Sequence, residues 1–435
     1  MKNNIRIPTA SWTLASRSRV VQDFLNRPSV FEHAEEAAHS VLKDIRKNGD
    51  KAVVKYAKKF DGFKGSAKDF RVSDAEIAAA TKQVDPAFKR AVRETKKRVT
   101  TFSKAGLRKD WKMKTPRGGM LGEQFMPLDR VGAYIPGGAA PLASTAMMTI
   151  VLAKVAGVPE VVACTPANPK TGIDPFLLYA VSQAGADEIY RVGGIQAIGA
   201  MAYGTDTISG VQKIVGPGGP YVTAAKRLVY GTVALDSVAG PSEIAILADD
   251  SVPASFVAAD MLSQAEHGTG AEKSLLVTTS KKLAAEVKKE LIRQTAELSR
   301  TEMIEEVLNN GTLIVTVPDL DTGTELINRF AAEHLELLTR DATSRAKKIR
   351  CAGAIFIGPW SPESAGDFAA GPSHVLPTGG TAAFFSGLTV DDFRRRSSII
   401  ALSERDLKEV LPVVEAFGRV EGLDAHVRSA QIRFE

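Results

Sequence analysis

From Val131 onward, short apolar runs alternate with helical stretches, and the runs end in turns rich in glycine or proline. The first runs are VGAYIPGG, VVACTP, DEIYRVGG and QKIVGPGG, and a typical helical stretch is LASTAMMTIVLAKVAG. This alternation is typical of βαβ units, in which crossover helices cover parallel strands. The pattern therefore predicts an α/β fold with a parallel sheet.

A second series of the same kind follows Ser242. Its strand-like runs are IAILAD, SLLVTTS, GTLIVTV and GAIFIG, and its helices include PASFVAADMLSQAEH. Residues 28–101 have the amphipathic spacing of helices, and the tail from Ser403 is again helical. We therefore predict an α/β protein with two Rossmann-like doubly wound domains and helical N- and C-terminal appendages.

The composition excludes several classes of function. A hydrophobic fraction of 44% and a charged fraction of 24% are ordinary for a folded globular protein. The net charge of +6 comes partly from helical stretches such as residues 89–99, which contain no aromatic side chains, so we expect no nucleic-acid partner. A weak positive field could still favour an anionic cofactor such as a dinucleotide.

The two cysteines and the N-terminus bear on location. Cys164 and Cys351 both lie in short apolar runs, which is typical of reduced proteins. The N-terminus lacks the apolar segment of a signal peptide, and no apolar run reaches the ~18 residues that a membrane helix needs. We therefore expect a cytoplasmic protein without a membrane partner.

Three glycine turns follow strand-like runs of the first series, at residues 136–138, 193–194 and 216–219. Glycine at the carboxyl end of a parallel strand lets backbone N–H groups approach an anion. None of the turns completes the dinucleotide fingerprint, since Tyr221 occupies the required third glycine position after Gly216 and Gly218. A single turn of this kind is often only a connection, but three together favour a cofactor or phosphate group.

The segment MLSQAEHGTG at 261–270 places Gln264 and His267 three positions apart at the end of a predicted helix. This spacing puts both side chains on one helix face, where they could share a metal ion. Taken alone, the pair is more often a helix end that meets solvent. A metal site would also need at least two further ligands.

Candidates for those ligands lie far away in the sequence. Asp367 lies in PESAGDFAAGPSHVLP, where small residues allow close folding, and His426 lies in EGLDAH, five residues after Glu421. Each has a more common alternative, a turn residue for the aspartate and a solvated residue for the histidine. The segment also contains His374, to which we assign no role.

Glu333 and His334 stand at the junction of a helix and a strand-like run, in FAAEHLELLT. Neighbours at such a junction can project into one cleft as an acid/base pair. The alternative is a charge pair at a helix end, and the sequence of this segment alone leaves both open.

Together, the motifs VGAYIPGG, GGIQAIGA, GPGGPYVTAAKR, AGPSE, LSQAEHG, AEHLEL, PESAGDFAAGPSHVLPT and EGLDAH occur in the order and spacing of the histidinol dehydrogenase family. The chain resembles this family from about Pro28 to His426. The resemblance implies the NAD- and zinc-dependent oxidation of L-histidinol through L-histidinaldehyde to L-histidine, at the end of histidine biosynthesis.

The resemblance also implies roles for individual residues, carried over motif by motif. The implied zinc ligands are Gln264, His267, Asp367 and His426. The implied catalytic pair is Glu333 and His334. The implied substrate contacts are Ser242 and Glu421, together with Gln264, His267, His334, Asp367 and His426. The implied NAD contacts are Tyr134, Gln196 and the position of Gly219.

The sequence departs from the family pattern at two places. The family motif usually reads GPGN, whereas this chain has Gly219 and lacks that side-chain amide, so we predict weaker NAD binding. Ala332 replaces a proline that many relatives have before the Glu-His pair, and we expect it to affect loop stiffness more than chemistry.

The family architecture implies a homodimer in which the C-terminal tail completes the partner's site. The implied segments are an N-terminal arm at 1–29, a zinc and substrate domain at 30–133 and 243–387, an NAD-binding domain at 134–242, and a helical tail at 388–435. Two alternatives are a related dehydrogenase for another hydroxylated substrate, such as a sulfonated diol, and a non-catalytic zinc- or nucleotide-binding relative. The intact PESAGDFAAGPSH and EGLDAH segments argue against the first, and the Glu-His pair argues against the second.

Overall fold

The computed structural model describes residues 5–16, 18–26, 32–137, 141–238, 240–267 and 270–435. Gly138 of the first glycine turn, Ala239 of AGPSE and part of the predicted N-terminal arm, 1–29, lie outside these ranges. Two parallel sheets, each flanked by helices, and one small antiparallel sheet make up the architecture. The predicted α/β fold with two doubly wound bodies is confirmed.

The elements are numbered in chain order. The strands are β1 Thr9–Ser11, β2 Trp111–Lys114, β3 Met120–Pro127, β4 Arg130–Tyr134, β5 Glu160–Cys164, β6 Glu188–Tyr190, β7 Lys213–Val215, β8 Ala234–Leu235, β9 Glu243–Ala248, β10 Lys273–Thr278, β11 Thr312–Thr316, β12 His334–Leu338, β13 Ala354–Ile357 and β14 Arg394–Ala401. The α-helices are α1 Arg19–Leu25, α2 Glu32–Asn48, α3 Asp50–Asp61, α4 Asp74–Gln83, α5 Pro86–Gly106, α6 Ala143–Ala156, α7 Pro175–Ala184, α8 Gly194–Tyr203, α9 Pro220–Val229, α10 Ala254–Ala265, α11 Lys281–Thr295, α12 Thr301–Asn310, α13 Leu320–Phe330, α14 Ala342–Arg345, α15 Glu363–Ala365, α16 Glu404–Glu421 and α17 Asp424–Gln431.

Sheet I has the strand order β6-β5-β4-β7-β8, and all its neighbours are parallel. The chain therefore reverses its winding direction between β4 and β7, and in open parallel sheets ligands bind beside such a point, at the carboxyl ends of the strands. Tyr134 ends β4, and the turns at 193–194 and 216–219 follow β6 and β7. All three lie at the carboxyl edge of sheet I.

Sheet II has the order β1-β11-β10-β9-β12-β13 and is also parallel throughout. Its central strands β9, β10 and β12 are apolar along most of their length because helices cover both faces. Glu243 begins β9 and His334 begins β12, where His334 is paired with Ile244 and Ala354. The Glu-His pair therefore lies at the amino edge of sheet II.

The N-terminal helices cover sheet I. Helices α2 and α3 pack against α8 and α9, while α4 and α5 pack against α6 and α7. Their apolar side chains share two hydrophobic cores with the strands of sheet I. The division of the chain into domains stays a prediction, and these contacts link residues 32–106 with sheet I.

Sheet III joins β14, β3 and β2 as antiparallel strands and leads into the tail. Helix α16 begins with a capping box formed by Ser403 and Asp406, and a glycine in the left-handed region ends it before α17 begins. Phe417 and Val420 of α16 are exposed. Among the residues that the structure describes, none of the helices has the length and apolar character needed to span a bilayer.

Candidate active site and metal centre

Helix α10 and strand β12 bring polar side chains together at the amino edge of sheet II. The apolar face of α10, which includes Val257, Met261 and Ala265, packs into the core of this sheet. Gln264 lies on the last turn of the helix, where it is fully buried and contacts His334 at the start of β12. A polar residue in such a position needs partners, and these partners form the site.

His334 is the centre of the cluster and is 2% exposed. Its Nδ1 lies 3.2 Å from the carbonyl oxygen of Glu243 and 3.3 Å from Oε1 of Gln264. In a neutral ring, these two acceptors require the proton on Nδ1, which leaves the lone pair on Nε2. Nε2 has no hydrogen-bond partner, and it lies 3.6 Å from Oδ1 of Asp367.

Glu333 is held beside His334 by two donors. The hydroxyl of Ser242 and the backbone N–H of Glu243, at 3.0 Å, both donate to its Oε2. The same oxygen lies 3.8 Å from Nδ1 of His334. Just before this pair, Ala331 ends helix α13 with a φ of 48°, a left-handed conformation that is costly for alanine. The backbone strain lies two residues from Glu333.

Three residues offer ligand atoms to one metal ion, namely His267, Glu363 and Asp367, and these atoms lie within 4.8 Å of one another. Asp367 belongs to a π-helical segment, Gly366–Ala370, that directly continues α15. A Cβ at Gly366 would lie 2.5 Å from the ring of Phe356, so this tight segment depends on glycine. The segment places Asp367 beside Glu363 and His334.

A second layer of polar groups holds Glu363, which is itself 2% exposed. Ser263 donates a hydrogen bond to Oε2 of Glu363 at 3.0 Å, and the backbone N–H of Glu363 donates to Oε1 of Glu336 at 2.8 Å. Glu336 is fully buried and shares a hydrogen bond with Asp260, and burial raises the pKa of Glu336 well above its ordinary value. Glu336 therefore acts as a hydrogen-bonded support inside the core.

The carboxylates change the ionisation of the central pair. Burial raises the pKa of Glu333 to about 8. Burial alone would lower the pKa of His334, but the nearby carboxylates of Glu363, Glu333 and Asp367 outweigh it and raise that pKa to about 10. This excess of negative charge around one imidazole is the environment that a bound cation would compensate.

At the carboxyl edge of sheet I, Tyr134 and Gln196 lie close together. The hydroxyl of Tyr134 accepts a hydrogen bond from the N–H of Gly194 at 3.2 Å, and burial raises its pKa to about 12. The amide nitrogen of Gln196 donates to Asp61 at 2.8 Å. Oε1 of Gln196 is buried without a hydrogen-bond partner.

The third glycine turn is fixed by a buried ion pair. Lys226 donates to Asp236 and, at 2.8 Å, to the carbonyl oxygen of Gly216, whose N–H donates to Asp236 at 2.7 Å. Gly216 has a φ of 112°, and a Cβ there would lie 2.1 Å from the carbonyl oxygen of Tyr134. Gly219 caps α9, and a Cβ there would meet nothing within 4 Å.

The structure thus brings together six of the residues singled out in the sequence: Ser242, Gln264, His267, Glu333, His334 and Asp367. His374 is near them, and its Nε2 is buried without a partner. Glu421 and His426 are exposed, on α16 and α17. Among the described residues, the candidate metal group of this single chain contains neither of them.

Five further residues of the two sites were not predicted from the sequence: Glu363, Ser263, Glu336, Asp260 and Asp61. Three signals could have found Glu363, Asp260 and Glu336. Glu363 lies one helical turn before Asp367, Asp260 lies one turn before Gln264, and Glu336 is a charged residue within an apolar strand, on the same face as His334. Asp61 gave no signal, because its contact with Gln196 links residues 135 positions apart.

Comparison with known proteins gives a consistent result. The model of the histidinol dehydrogenase family matches residues 25–434. Histidinol dehydrogenase of Heliobacterium mobile is 47% identical over 395 residues, which cover 91% of this chain and 92% of the relative. The protein of the same name from Synechococcus is 42% identical, with 92% of each chain covered. The crystal structure of histidinol dehydrogenase from Elizabethkingia anophelis has a TM-score of 0.93 at 34% identity and 98% coverage of both chains.

Proposed function

Since the chain belongs to the histidinol dehydrogenase family and is an oxidoreductase that acts on CH–OH groups, we propose that it oxidises L-histidinol to L-histidine through L-histidinaldehyde. Two hydrides would pass to two NAD molecules, as the last steps of histidine biosynthesis. The observation that carries the proposal is the buried pair Glu333 and His334 beside ligand atoms for a metal ion.

In the first oxidation, the alcohol must lose its hydroxyl proton as a hydride leaves its carbon. We assign the proton to Nε2 of His334, because Nδ1 is engaged with the carbonyl oxygen of Glu243. The pKa of about 10 applies to the protein with its carboxylates uncompensated. A cation held at Asp367, beside Glu363, would offset the charge of both carboxylates, and it would thereby lower the pKa of His334 towards the range where a neutral imidazole accepts protons.

In the second oxidation, the aldehyde must add water before another hydride can leave. Glu333 would take the proton of the attacking water, and its pKa of about 8 suits a base that works near neutral or mildly alkaline pH. Ser242 and the N–H of Glu243 both donate to one carboxylate oxygen of Glu333, so the other oxygen is the one left to accept the proton. Both hydrides leave the same carbon, so the two bases can act one after the other on a substrate that stays bound in one position.

The residues at the amino edge of sheet II fit a zinc ion. Gln264, His267 and Asp367 would hold it, with the partner subunit's His426 as fourth ligand, a nitrogen and oxygen set that zinc accepts. The fit rests on the buried atoms without partners, Nε2 of His334 and of His374, and on the facing ligand atoms of His267 and Asp367. When bound, zinc would orient the substrate through its imidazole and amino nitrogens, since it has no redox chemistry to supply.

The residues at the carboxyl edge of sheet I fit NAD. Tyr134 and Gln196 would contact the cofactor, and the backbone at Gly219 would approach it at the N-terminus of α9. The buried, unpartnered Oε1 of Gln196 and the open space beside Gly219 support this assignment.

We assign Glu421 and His426 to the site of a second copy of the chain in a homodimer. Both are exposed on a tail whose apolar residues Phe417 and Val420 are also exposed. Glu421 would bind the ammonium group of the substrate. Mixed dimers test this: His267→Ala and His426→Ala proteins should each lack zinc, but a heterodimer of the two contains one intact site.

Random mixing should therefore restore zinc to about a quarter of the sites. If the mixture stays free of zinc, or if His426→Ala alone retains zinc, the assignment of His426 to the partner's site is wrong.

The proposed activity is tested by NADH absorbance with L-histidinol, with and without a chelator. We expect NADH formation that the chelator stops and zinc restores. Glu333→Gln should still oxidise L-histidinol to the aldehyde but slow the oxidation of added L-histidinaldehyde, whereas His334→Gln should slow the first oxidation. No NADH at any pH between about 7 and 10 would overturn the proposed function.

A further inference from the structure

A carboxylate that takes no part in the proposed chemistry lies beside the proposed NAD site. Asp61 is the last residue of α3 and is half-buried. It accepts a hydrogen bond from Nε2 of Gln196 at 2.8 Å and a second from the backbone of Gly193. The contact joins the end of α3 to the first turn of α8, which follows β6.

This contact fixes the orientation of the Gln196 side-chain amide. An ionised carboxylate only accepts hydrogen bonds, so the NH₂ group of Gln196 must point to Asp61. Its oxygen must then point the opposite way, and it is buried without a partner. That oxygen lies 3.1 Å from where a Cβ on Gly194 would be, so it faces the glycine turn at the carboxyl edge of sheet I.

An unpartnered buried acceptor is unfavourable unless a bound molecule supplies the donor. The neighbouring groups cannot supply it. The N–H of Gly194 already donates to Tyr134, and the amide nitrogen of Gln196 itself is engaged with Asp61. The acceptor is therefore available to a hydroxyl or amide donor of a ligand that binds at this turn.

We propose that Asp61 is a positioning residue for cofactor binding: it orients the Gln196 amide so that the oxygen of this amide accepts a hydrogen bond from a hydroxyl or carboxamide N–H group of NAD. This inference rests on the proposed function, in which NAD binds at the carboxyl edge of sheet I. A purely structural role, the attachment of α3 to α8, would need the hydrogen bond but not the direction of the amide.

An exchange of the two partners separates these roles. Asp61→Asn allows the Gln196 amide to turn over and present NH₂ to the cofactor. In the double variant Asp61→Asn with Gln196→Glu, the asparagine amide donates to the new carboxylate, whose other oxygen is again an acceptor for NAD. Asp50→Asn, at the other end of α3, is a matched control, since Asp50 accepts from Thr207 away from the glycine turns.

The measurement is calorimetric titration of the zinc-loaded protein with NAD and, separately, with L-histidinol. We expect Asp61→Asn to weaken NAD binding about tenfold and the double variant to recover most of the loss. L-Histidinol binding and the Asp50→Asn control should not change. Unchanged NAD binding in Asp61→Asn, or a weakened Asp61→Asn that the exchange fails to rescue, would overturn the proposal.

If Asp61→Asn alone does not fold, the folded double variant decides the question: NAD affinity near that of the unaltered protein supports the proposal, and lost affinity overturns it. An unaltered protein that binds L-histidinol but no NAD would overturn the proposed cofactor and, with it, this inference. If the unaltered protein binds NAD normally but the double variant does not recover the NAD affinity lost in Asp61→Asn, only the proposed role of Asp61 is wrong.

Discussion

The charge of Glu363 sets the protonation of His334 in the metal-free protein. Oε1 of Glu363 lies 3.4 Å from Nδ1 of His334, and both side chains are 2% exposed. At an effective dielectric constant of about 20, opposite unit charges at this distance interact by about 5 kcal/mol. Glu333 and Asp367, at 3.8 Å and 3.6 Å, add to this attraction, and burial of the ring opposes it.

The three carboxylates together raise the pKa of His334 from 6.5 to about 10. If they contribute comparably, Glu363→Gln should lower this pKa by at least about one unit, or about 1.4 kcal/mol. Glutamine keeps the shape of the side chain and can still accept from Ser263, so the fold should be retained. The charge is the only large change.

The assay is an NMR titration of the six histidines after chelator treatment. The signal of His334 is identified by its loss in His334→Gln, and the exposed Glu302→Gln serves as a charge-matched control. A His334 pKa that changes by less than about 0.3 units in Glu363→Gln would refute the electrostatic argument, as would a value near 6.5 in the unaltered protein.

Three further predictions concern cofactor affinity, pH dependence and backbone strain. Gly219→Asn should lower the KM for NAD, because it restores a side-chain amide at the proposed NAD site and a Cβ there would meet no atom within 4 Å; steady-state kinetics showing an unchanged or higher KM would contradict this. The pKa of Glu333 is raised from 4.5 to about 8 and that of His334 from 6.5 to about 10, so the folded state binds more protons across these ranges. The metal-free protein should therefore lose thermal stability as pH rises from 4.5 to about 10, and His334→Gln should show a weaker loss above pH 6.5; equal slopes would be evidence against this. Ala331→Gly should raise the free energy of unfolding by about 1 kcal/mol, since glycine adopts the left-handed conformation freely, and a lower value in denaturant unfolding would mean that Ala331 is not strained.

Much of the fold could be predicted because local patterns determine it. The apolar runs between residues 131 and 357 each became a strand of sheet I or sheet II, and the glycine turns lie where strands of sheet I end. The pairing of β1 with β11 could not be predicted, since Thr9–Ser11 is a short segment without a strand-like pattern. Nor could the π-helical segment at Asp367, whose Gly366 packs so closely against the ring of Phe356 that a Cβ there would lie 2.5 Å from it.

The candidate site, like the fold, could be predicted only where local sequence patterns determine it. His334 was a plausible base from its place beside Glu333, but its burial among three carboxylates also depends on where α15 and the π-helical segment after it pack, which no spacing in the sequence shows. Gln264 and His267 were ambiguous because a helix end and a metal site have the same sequence. The proximity of His267 to Asp367 and the contact of Gln264 with His334 are tertiary features.

The most direct test of the account is the number of NADH molecules formed for each molecule of L-histidinol consumed, measured by absorbance and by chromatography of the products. Two oxidations at one carbon by His334 and Glu333 predict two NADH per L-histidinol and L-histidine as the product. One NADH per L-histidinol, with the aldehyde accumulating in solution, would contradict the proposed role of Glu333 and the two-step reaction.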